Sequence, residues 1–479
     1  MELGQLKGKK VLILGFGREG QSSFELIKKL DPQNRLGIAD QIEPGSFQKK
    51  FPKLAQDKNT DLFLGKNYLE AIGDYDVIIK TPGIPLSLIK PLLKKGAKIT
   101  SQTEIFLTNC PGQVIGITGT KGKSTTSALI YKVLKEGLLR PELVEGLRRA
   151  KGLLRPAGLR RAKGLLRPAG LRRAKVQLVG NIGKPALSFL LKSKPQDIFV
   201  YEMSCHQLAE LKQSPRIAVF LNLYPEHLDY YKNFAAYAKA KSNITRWQNK
   251  NDHLIFDPAD KTVAKIAETS LAKKIKINPL KAKKIIGKEK THLKGEFNLL
   301  NMAAAIEAGK IFKIPEAKIL QAIKNFKPLE HRLEKIGPYS GITFYNDALS
   351  TIEQSAIAAL DALGPKVETI LLGGFDRGLT FKNLAKKILS SDLKTLILFP
   401  TTGQKIWDEI KKQSKNGKNL PQHFFVNDMS DAVRLAYENT QKGKICLMSC
   451  ASTSFGLFRD YQEKGGLFKK YAEELNPVK

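Results

Sequence analysis

Short apolar runs alternate with amphipathic stretches along most of the chain, and this pattern predicts an α/β protein. The first runs are VLIL, LGIA and VIIK, and a second series reads VIGIT, VQLVG, IFVYEM and IAVFLNL. A third series reads ITFYN, ETILLGG, TLILF and ICLMS. Strands that alternate with helices favour largely parallel sheets covered by helices. With 479 residues, the sequence therefore predicts three α/β domains, at 1–111, 112–327 and 328–479.

A glycine-rich loop, GTKGKS, lies between the apolar run VIGIT and a helical stretch that ends at Gly137. Its glycines allow backbone amides to face phosphate oxygens, and the helix N-terminus adds a favourable dipole. Lys123 is expected to meet the β- and γ-phosphates of a nucleotide, and Ser124 a Mg²⁺ ion. The loop is shorter than the GxxxxGK[ST] pattern, because residue 117 is Ile. The central segment is therefore predicted to be a P-loop ATPase domain.

A second glycine motif, GFGREG, follows the first apolar run and has Asp40 twenty residues beyond its last glycine. This spacing is typical of a Rossmann-like dinucleotide-binding turn. The residues alone leave two interpretations open, a nucleotide-like ligand such as NAD or a tight turn that binds nothing.

Carboxylates and an imidazole follow two of the central apolar runs. Glu202 ends one run, and Glu226, His227 and Asp229 follow another. Because the carboxyl ends of parallel strands meet at one edge of a sheet, these groups are expected beside the phosphate loop. There they suit Mg²⁺ and phosphate chemistry.

The composition raises one more class of partner. The formal net charge is +35, and residues 151–174 are one basic twelve-residue unit written twice. Regular prolines prevent a long helix there, so we expect 138–175 to be a solvated surface insertion on the far side of the ATPase domain. A nucleic-acid, membrane or protein contact is the alternative. The four scattered cysteines predict neither a disulfide framework nor a zinc site of paired cysteines.

The ordered series of motifs resembles the Mur ligase family, most closely its D-glutamate-adding branch, over nearly the whole chain outside 138–175. The motifs are GITGTKGKSTT, GNIGKPAL, YEMSCHQL, LNLYPEHLDYY, YAKAKSNI, LKGEFNLLNMAAA, LEHRLE, YNDALST, LLGGFDRGLTF and SCASTSFGLFRDYQEKGGLF. Leu349, Cys450 and Phe297 depart from the family pattern, and Arg377 stands where the family has lysine.

The resemblance implies a role for each matching residue. ATP would be held by Gly119, Thr120, Lys121, Gly122, Lys123, Ser124, Thr125, Asn298, Asn301, Arg332 and Asp347. The uridine diphosphate of the substrate, rather than NAD, would be held by Phe16, Gly17, Arg18, Asp40 and Gly83. Its muramoyl-alanine end would meet Asn181, Ser204 and Gln207. D-glutamate would meet Thr351, Arg377, Ser454 and Tyr461. Metal ligands would be Ser124, Glu202, His227 and Lys241 as a carbamate, and the catalytic residues Lys123, His227 and Lys241.

The activity implied by the resemblance is ATP-dependent ligation of D-glutamate to UDP-N-acetylmuramoyl-L-alanine through an acyl phosphate, in peptidoglycan precursor synthesis. ATP, two Mg²⁺ ions and a carbon-dioxide-derived carbamate would take part. A cytoplasmic monomer with no nucleic-acid partner and no membrane span is expected. The alternatives are another amide ligase of the superfamily, such as a folylpolyglutamate synthase, and a P-loop ATPase stimulated by nucleic acid.

Overall fold

The computed structural model describes residues 1–138, 174–227, 230–287, 291–414 and 420–476. Most of the basic insertion predicted at 138–175 lies outside these residues, as does Asp229. The described residues form three sheets of five, six and six strands, which confirms the α/β fold class.

The first sheet is parallel, with the strand order β3-β2-β1-β4-β5. Its strands are β1 (Val11–Leu14), β2 (Leu36–Asp40), β3 (Thr60–Leu64), β4 (Val77–Lys80) and β5 (Lys98–Thr100). Its helices are α1 (Arg18–Leu30), α2 (Pro44–Lys50), α3 (Pro52–Ala55), α4 (Leu86–Ile89) and α5 (Gln102–Asn109), with 3-10 turns at Leu3–Leu6, Glu70–Asp74 and Lys90–Leu92. The strand order reverses between β1 and β4, so the loops after these strands border a crevice suited to ligands.

The second sheet is also parallel, with the order β11-β10-β9-β6-β8-β7. Its strands are β6 (Gln113–Thr118), β7 (Val176–Gly180), β8 (Ile198–Glu202), β9 (Ile217–Phe220), β10 (His253–Phe256) and β11 (Lys273–Lys276). Its helices are α6 (Lys123–Gly137), α7 (Leu187–Leu190), α8 (Cys205–Leu208), α9 (Phe234–Ser242), α10 (Lys261–Thr269), α11 (Pro279–Ile286), α12 (Phe297–Ile311) and α13 (Glu316–Lys324). Because β6 lies between β8 and β9, the loops after all three strands meet at one edge.

The third sheet has the order β12-β13-β17-β14-β15-β16. Its strands are β12 (Glu334–Tyr339), β13 (Ile342–Asn346), β14 (Val367–Gly373), β15 (Thr395–Phe399), β16 (Gln422–Phe425) and β17 (Ile445–Met448). Its helices are α14 (Glu353–Leu363), α15 (Lys382–Leu389), α16 (Thr402–Gln413), α17 (Met429–Glu438) and α18 (Tyr461–Glu474), with a 3-10 turn at Gly364–Lys366. Strand β12 pairs antiparallel with β13 and carries Gly337 and Pro338, as an edge strand tolerates.

The described residues pack as two compact units. The first takes in Met1–Gly287 and Leu300–Ile323 and holds the first two sheets, and the second takes in Lys288–Leu299 and Lys324–Lys479 and holds the third. The three domain boundaries at 1–111, 112–327 and 328–479 stay a prediction. Within the described ranges, no helix combines the length and apolar character needed to cross a membrane.

Candidate active site

The phosphate loop takes the predicted strand–loop–helix form between β6 and α6. Gly119 has a φ of 154° and Gly122 a φ of 84°, which is the left-handed region that favours glycine. A Cβ at Gly122 would lie 2.4 Å from Asn301 Oδ1, so a side chain there would strike α12. Gly122 is also the N-cap residue of α6, where the loop turns into the helix.

Asn222 lies just beyond the end of β9, the strand that pairs with β6, and its hydrogen bonds fix the conformation of the loop. Its Oδ1 accepts a hydrogen bond from the Lys121 amide at 2.8 Å, and its Nδ2 donates to the Lys121 carbonyl at 3.1 Å. The Thr120 amide donates to the Asn222 carbonyl at 2.8 Å. Two amides of the loop therefore bond within the protein, which the glycine motif alone does not reveal.

The two lysines of the loop have different partners. Lys123 Nζ donates to the carbonyls of Gly119 and Thr120 at 3.0 and 2.9 Å, so its ammonium lies across the loop. Lys121 Nζ forms an ion pair with Glu226 Oε1 at 3.0 Å. Burial pushes the pKa of the Glu226 carboxyl upward, but Lys121 and Lys123 outweigh burial and hold that pKa below its ordinary value.

Lys241, on α9, is 1% exposed, and its side chain contacts the same loop. Its Nζ donates to the Gly119 carbonyl at 2.8 Å and to Thr118 Oγ1 at 3.3 Å, and it lies 5.1 Å from the centre of the Tyr237 ring. Burial first, and the charge of Lys123 second, lower the pKa of Lys241 to about 7. A substantial fraction of this amine is therefore neutral near pH 7.

Glu202 ends β8 beside the loop, where it pairs in register with Ile117 of β6. The residue is 3% exposed, and its Oε2 accepts no hydrogen bond from the described residues. A buried carboxylate oxygen without a donor is costly unless a cation or another donor meets it. Glu202 also lies close enough to Lys241 to influence its pKa.

His227 follows β9 with a φ of 57°, and its Nε2 lies 4.0 Å from Glu226 Oε2. Its ring centre is 5.1 Å from that of His206 and 6.2 Å from that of Tyr237. The structure therefore gathers Lys123, Glu202, His227 and Lys241 around one loop, together with the buried Ser124 and Thr125 at the beginning of α6.

The first glycine motif supports a ligand-binding turn after β1. Gly15 has a φ of 88°, and a Cβ there would lie 2.0 Å from Thr81 Oγ1. A Cβ at Gly20 would lie 2.0 Å from the Gly15 carbonyl, so glycine permits the close approach of α1 to the turn. At Gly17, the N-cap of α1, an added Cβ would meet no atom within 4 Å. The backbone at Gly17 is thus accessible to a ligand.

Asp40 ends β2 and is fixed against this turn. Its Oδ2 accepts from the Phe16 amide at 2.5 Å, and its Oδ1 accepts from the Ile42 amide at 2.9 Å. The exposed Gly83 follows β4, the strand on the other side of β1. Phe16, Asp40 and Gly83 therefore border the same crevice.

The residues predicted to contact the muramoyl-alanine end of the substrate lie between the first glycine turn and the phosphate loop. Asn181 follows β7, and its amide donates to the Glu202 carbonyl at 3.2 Å. Ser204 and Gln207 form a capping box at the beginning of α8. Gln207 Nε2 also donates to Glu19 Oε1 of α1 at 2.6 Å, and Arg18 Nη2 donates to the Gly183 carbonyl. These contacts connect the first glycine turn with the loop after β7 and with α8, which follows Glu202.

The remaining predicted residues occupy α12 and the second unit. Asn301 Oδ1 accepts from the Thr126 hydroxyl at 3.0 Å in the first unit, whereas Asn298 Nδ2 donates to the Lys294 carbonyl at 2.6 Å in the second. In the second unit, Asp347 accepts from the Leu333 amide and the Ser449 hydroxyl, and burial raises the pKa of Asp347 to about 6.

The residues predicted to bind D-glutamate lie in loops after strands of the third sheet. Arg377 has its guanidinium 5.6 Å from the centre of the Phe455 ring. Ser454 is buried, Tyr461 is the first residue of α18, and Thr351 precedes α14. Tyr461 packs edge-on against His331, with the ring centres 6.0 Å apart.

Three residues with a clear part in this site are absent from the sequence-based prediction, namely Asn222, Glu19 and Tyr237. Tyr237 bonds the Thr120 hydroxyl at 3.0 Å and lies beside Lys241. Asn222 could have been found from its position at a strand end, because that position faces the loop of the adjacent strand. Glu19 gave no such signal, because its partner Gln207 is 188 residues away.

Comparisons with known proteins agree with this architecture. Residues 117–309 match the Mur ligase middle domain. The chain is 29% identical over 490 residues to a UDP-N-acetylmuramoylalanine-D-glutamate ligase of Clostridium botulinum, covering 98% of each protein. A Clostridium tetani protein of the same name is 28% identical over 487 residues.

Solved structures with the same fold include a UDP-N-acetylmuramate-alanine ligase of Thermotoga maritima, with a TM-score of 0.56, 16% identity and coverage of 98% of this chain and 100% of that one. A MurF ligase of Thermotoga maritima in complex with ADP gives a TM-score of 0.55 at 14% identity, covering 97% and 95%. The chain thus contains a segment that matches the Mur ligase middle domain, shares its fold with these ligases and is similar to the D-glutamate ligases over almost its whole length.

Proposed function

We propose that this chain uses ATP to join D-glutamate to UDP-N-acetylmuramoyl-L-alanine. The observation that carries the proposal is the gathering of Lys123, Glu202 and Lys241 at one phosphate loop, beside a separate turn built for a nucleotide-like ligand. The full-length relatives named for this reaction favour the same substrates.

The proposed reaction has two steps, the formation of an acyl phosphate and the formation of an amide. A carboxylate is a poor electrophile, so an oxygen of the alanine carboxylate first attacks the γ-phosphorus of ATP, and ADP leaves. The amine nitrogen of D-glutamate then attacks the carbonyl carbon of the acyl phosphate. The carbon–oxygen bond to phosphate breaks, the nitrogen loses a proton, and an amide and inorganic phosphate remain. The protein contributes mainly position and charge.

The phosphate loop supplies the positive field for the first step. The N-terminus of α6 and the ammonium of Lys123 act on the β- and γ-phosphates. Lys121 is held at Glu226, so it contributes charge near the loop rather than a phosphate contact. Asn301, Asn298, Arg332 and Asp347 are proposed to complete the ATP site.

The residues at the loop suit magnesium. Glu202 offers a buried oxygen that accepts no hydrogen bond from the described residues, Ser124 lies at the beginning of α6, and His227 lies in the loop after β9. Mg²⁺ prefers oxygen ligands. Two Mg²⁺ ions would, when bound, neutralise negative charge on the phosphates. Glu202, Ser124 and His227 would hold and orient them.

Lys241 is proposed to act as a carbamate. A cationic lysine would repel Mg²⁺, whereas its neutral amine can attack the carbon of CO₂ and lose a proton, leaving an anion. Its complete burial and its pKa of about 7 favour the neutral amine that this reaction needs. The carbamate would then serve as one more oxygen ligand beside Glu202.

The remaining substrate groups are assigned to the surrounding loops. Phe16, Gly17, Arg18, Asp40 and Gly83 would hold the uridine diphosphate, and Asn181, Ser204 and Gln207 the muramoyl-alanine end. Thr351, Arg377, Ser454 and Tyr461 would hold D-glutamate, with Arg377 as the cation for its carboxylates.

The test is phosphate release from ATP in the presence of UDP-N-acetylmuramoyl-L-alanine, with D-glutamate compared against L-glutamate, L-alanine and diaminopimelate. We expect release to depend on both the uridine substrate and D-glutamate. Preference for another amino acid would assign the chain to another ligase of the superfamily. Release that needs DNA or RNA, and no amino acid, would overturn the proposal.

A further inference from the structure

A second group of metal-binding side chains lies next to the proposed magnesium site. The Sγ of Cys205 and one ring nitrogen each of His206 and His227 lie within 4.8 Å of one another. Cys205 is buried, and both histidines are partly exposed. The cysteine spacing had predicted no zinc site of paired cysteines, but it could not foresee one thiol among histidines from another loop.

Aromatic rings enclose this group on one side. The His206 ring is stacked on Tyr231 with centres 5.6 Å apart, and Tyr230 packs edge-on against it at 4.4 Å. These contacts fix the plane of His206. Glu226 Oε2, at 4.0 Å from His227 Nε2, supplies a carboxylate that can orient that ring or approach a cation.

The donor set differs in kind from that of magnesium. Mg²⁺ prefers oxygen ligands, and His227 would be the nitrogen donor in its proposed site, whereas a thiolate with two imidazoles is typical of Zn²⁺ and its neighbours among the transition metals. With metal–nitrogen and metal–sulfur bonds of about 2.0–2.3 Å, the ligand atoms need to close to roughly 3.5 Å from one another. Because the His227 side chain is partly exposed, we expect its rotation to close the remaining distance.

We propose that Cys205, His206 and His227 form a binding site for Zn²⁺, and that an ion bound there withdraws His227 from the magnesium site. The second half rests on the proposed function, since it assigns His227 to magnesium. Zinc is then an inhibitor that competes through a shared ligand. The first half stands on the side-chain group alone.

Binding is tested on the full chain after chelator treatment, without nucleotide or substrate, by competition with a chromophoric zinc chelator. Cobalt serves as a second probe, because a thiolate ligand adds a charge-transfer band in the near ultraviolet. We expect one ion per chain, and Cys205→Ser and His206→Gln should each weaken zinc binding at least tenfold. Cys205→Ser should also remove the cobalt–thiolate band.

Cys110→Ser is the matched control, because Cys110 is a partly buried cysteine outside this group. Thermal unfolding of each metal-free variant verifies that it folds. Unchanged zinc binding in both His206→Gln and Cys205→Ser, or an equal loss in Cys110→Ser, would overturn the site.

Inhibition is tested separately in the phosphate-release assay at saturating Mg²⁺. Zinc should inhibit the native chain, and the inhibiting concentration should rise at least tenfold in His206→Gln. Zinc that binds without inhibiting, or that inhibits His206→Gln equally, would overturn the shared role of His227. Because binding is measured without substrates, a failure there leaves the ligase proposal untouched.

Discussion

Two strand–glycine–helix turns among the described residues differ in the charged side chains that bond to them. At the first, between β1 and α1, the carboxylates of Asp40 and Glu19 lie beside the turn, and Asp40 accepts the Phe16 amide. At the second, between β6 and α6, Lys123 and Lys241 both donate to the Gly119 carbonyl. The first turn therefore combines two acids with the guanidinium of Arg18, whereas two ammonium groups bond directly to the backbone of the second.

The difference explains how one chain can separate two nucleotide-like ligands. A triphosphate carries concentrated negative charge, which the ammonium groups of Lys123 and Lys241 at the second turn can balance. A carboxylate such as Asp40 is instead suited to hydroxyl and ring N–H donors of a nucleoside. The comparison therefore supports the proposal that ATP binds at the second turn and the uridine diphosphate substrate at the first.

The largest effect is expected from removing Lys241, the buried amine of the second turn. Lys241→Ala should lower ligation at least about a thousandfold, about 4 kcal/mol in barrier, because the proposed carbamate ligand and the bond to the Gly119 carbonyl are both lost. Added short carboxylic acids should restore part of the activity, and Lys241→Glu should retain more than Lys241→Ala. Phosphate release is the measurement.

Lys239→Ala is the control for this variant, because Lys239 lies on the same helix and is exposed. It should leave activity near the native value. Full activity of Lys241→Ala in carbon-dioxide-free buffer would remove Lys241 from the mechanism.

Asp347 extends the comparison to a strand-end carboxylate in the second unit. Its raised folded-state pKa of about 6 means that its stabilising contribution is present below its ordinary value of 3.8 and lost as the pH rises through about 6. The stability of Asp347→Asn relative to the native chain should therefore increase as the pH rises from about 4 to about 8. The expected increase is on the order of 2 kcal/mol.

Urea unfolding at both pH values measures this gain. The exposed Asp431, in the same unit, provides the control variant Asp431→Asn. A stability gain for Asp347→Asn that grows toward low pH would have the opposite sign. It would contradict the prediction that the buried carboxylate of Asp347 destabilises the fold at high pH.

Glu19 should produce a smaller effect, confined to the first turn. Glu19→Ala removes the acceptor of Gln207 Nε2, so we expect KM for the uridine substrate to rise about tenfold, about 1.4 kcal/mol, with little change in kcat. Glu19→Gln, which can still accept this bond, should restore most of the loss. The exposed Glu25 of the same helix supplies the control Glu25→Ala. A fall in kcat with unchanged KM would contradict a positioning role at this turn.

The smallest effect is expected from the basic insertion. Helix α6 ends at Gly137 and β7 begins at Val176, so the insertion connects the ends of these elements that are remote from the phosphate loop. Replacing 139–173 with a short Gly-Ser linker should leave phosphate release within roughly tenfold of the native rate. A folded deletion variant without ligase activity would show that the second turn depends on the insertion.

The sequence predicted the elements that local pattern determines. The runs that became β1, β2, β4, β6 and β8 are apolar on both faces, as buried parallel strands are, and both glycine turns follow directly from their spacing. The edge strands β11, β12 and β16 were not predicted, because their residues are polar or half exposed and give no apolar run.

The site was predicted only as far as its residues follow strands. Three contacts of the site join segments that are far apart in sequence. They are the bonds of Asn222 to the phosphate loop, the bond from Gln207 to Glu19, and the group of Cys205, His206 and His227. Only the strand order brings such loops together, and no local pattern encodes it. The partner of each buried polar atom therefore had to come from the structure.

The most direct test of the two-turn assignment is a reciprocal binding measurement by calorimetry. A non-hydrolysable ATP analogue and UDP-N-acetylmuramoyl-L-alanine are titrated separately into the native chain, Lys123→Ala and Asp40→Ala. The account predicts that Lys123→Ala loses at least tenfold in affinity for the ATP analogue and binds the uridine substrate within about twofold, and that Asp40→Ala does the opposite. Equal weakening of both ligands in folded Lys123→Ala, or tight NAD binding at the first turn, would contradict it.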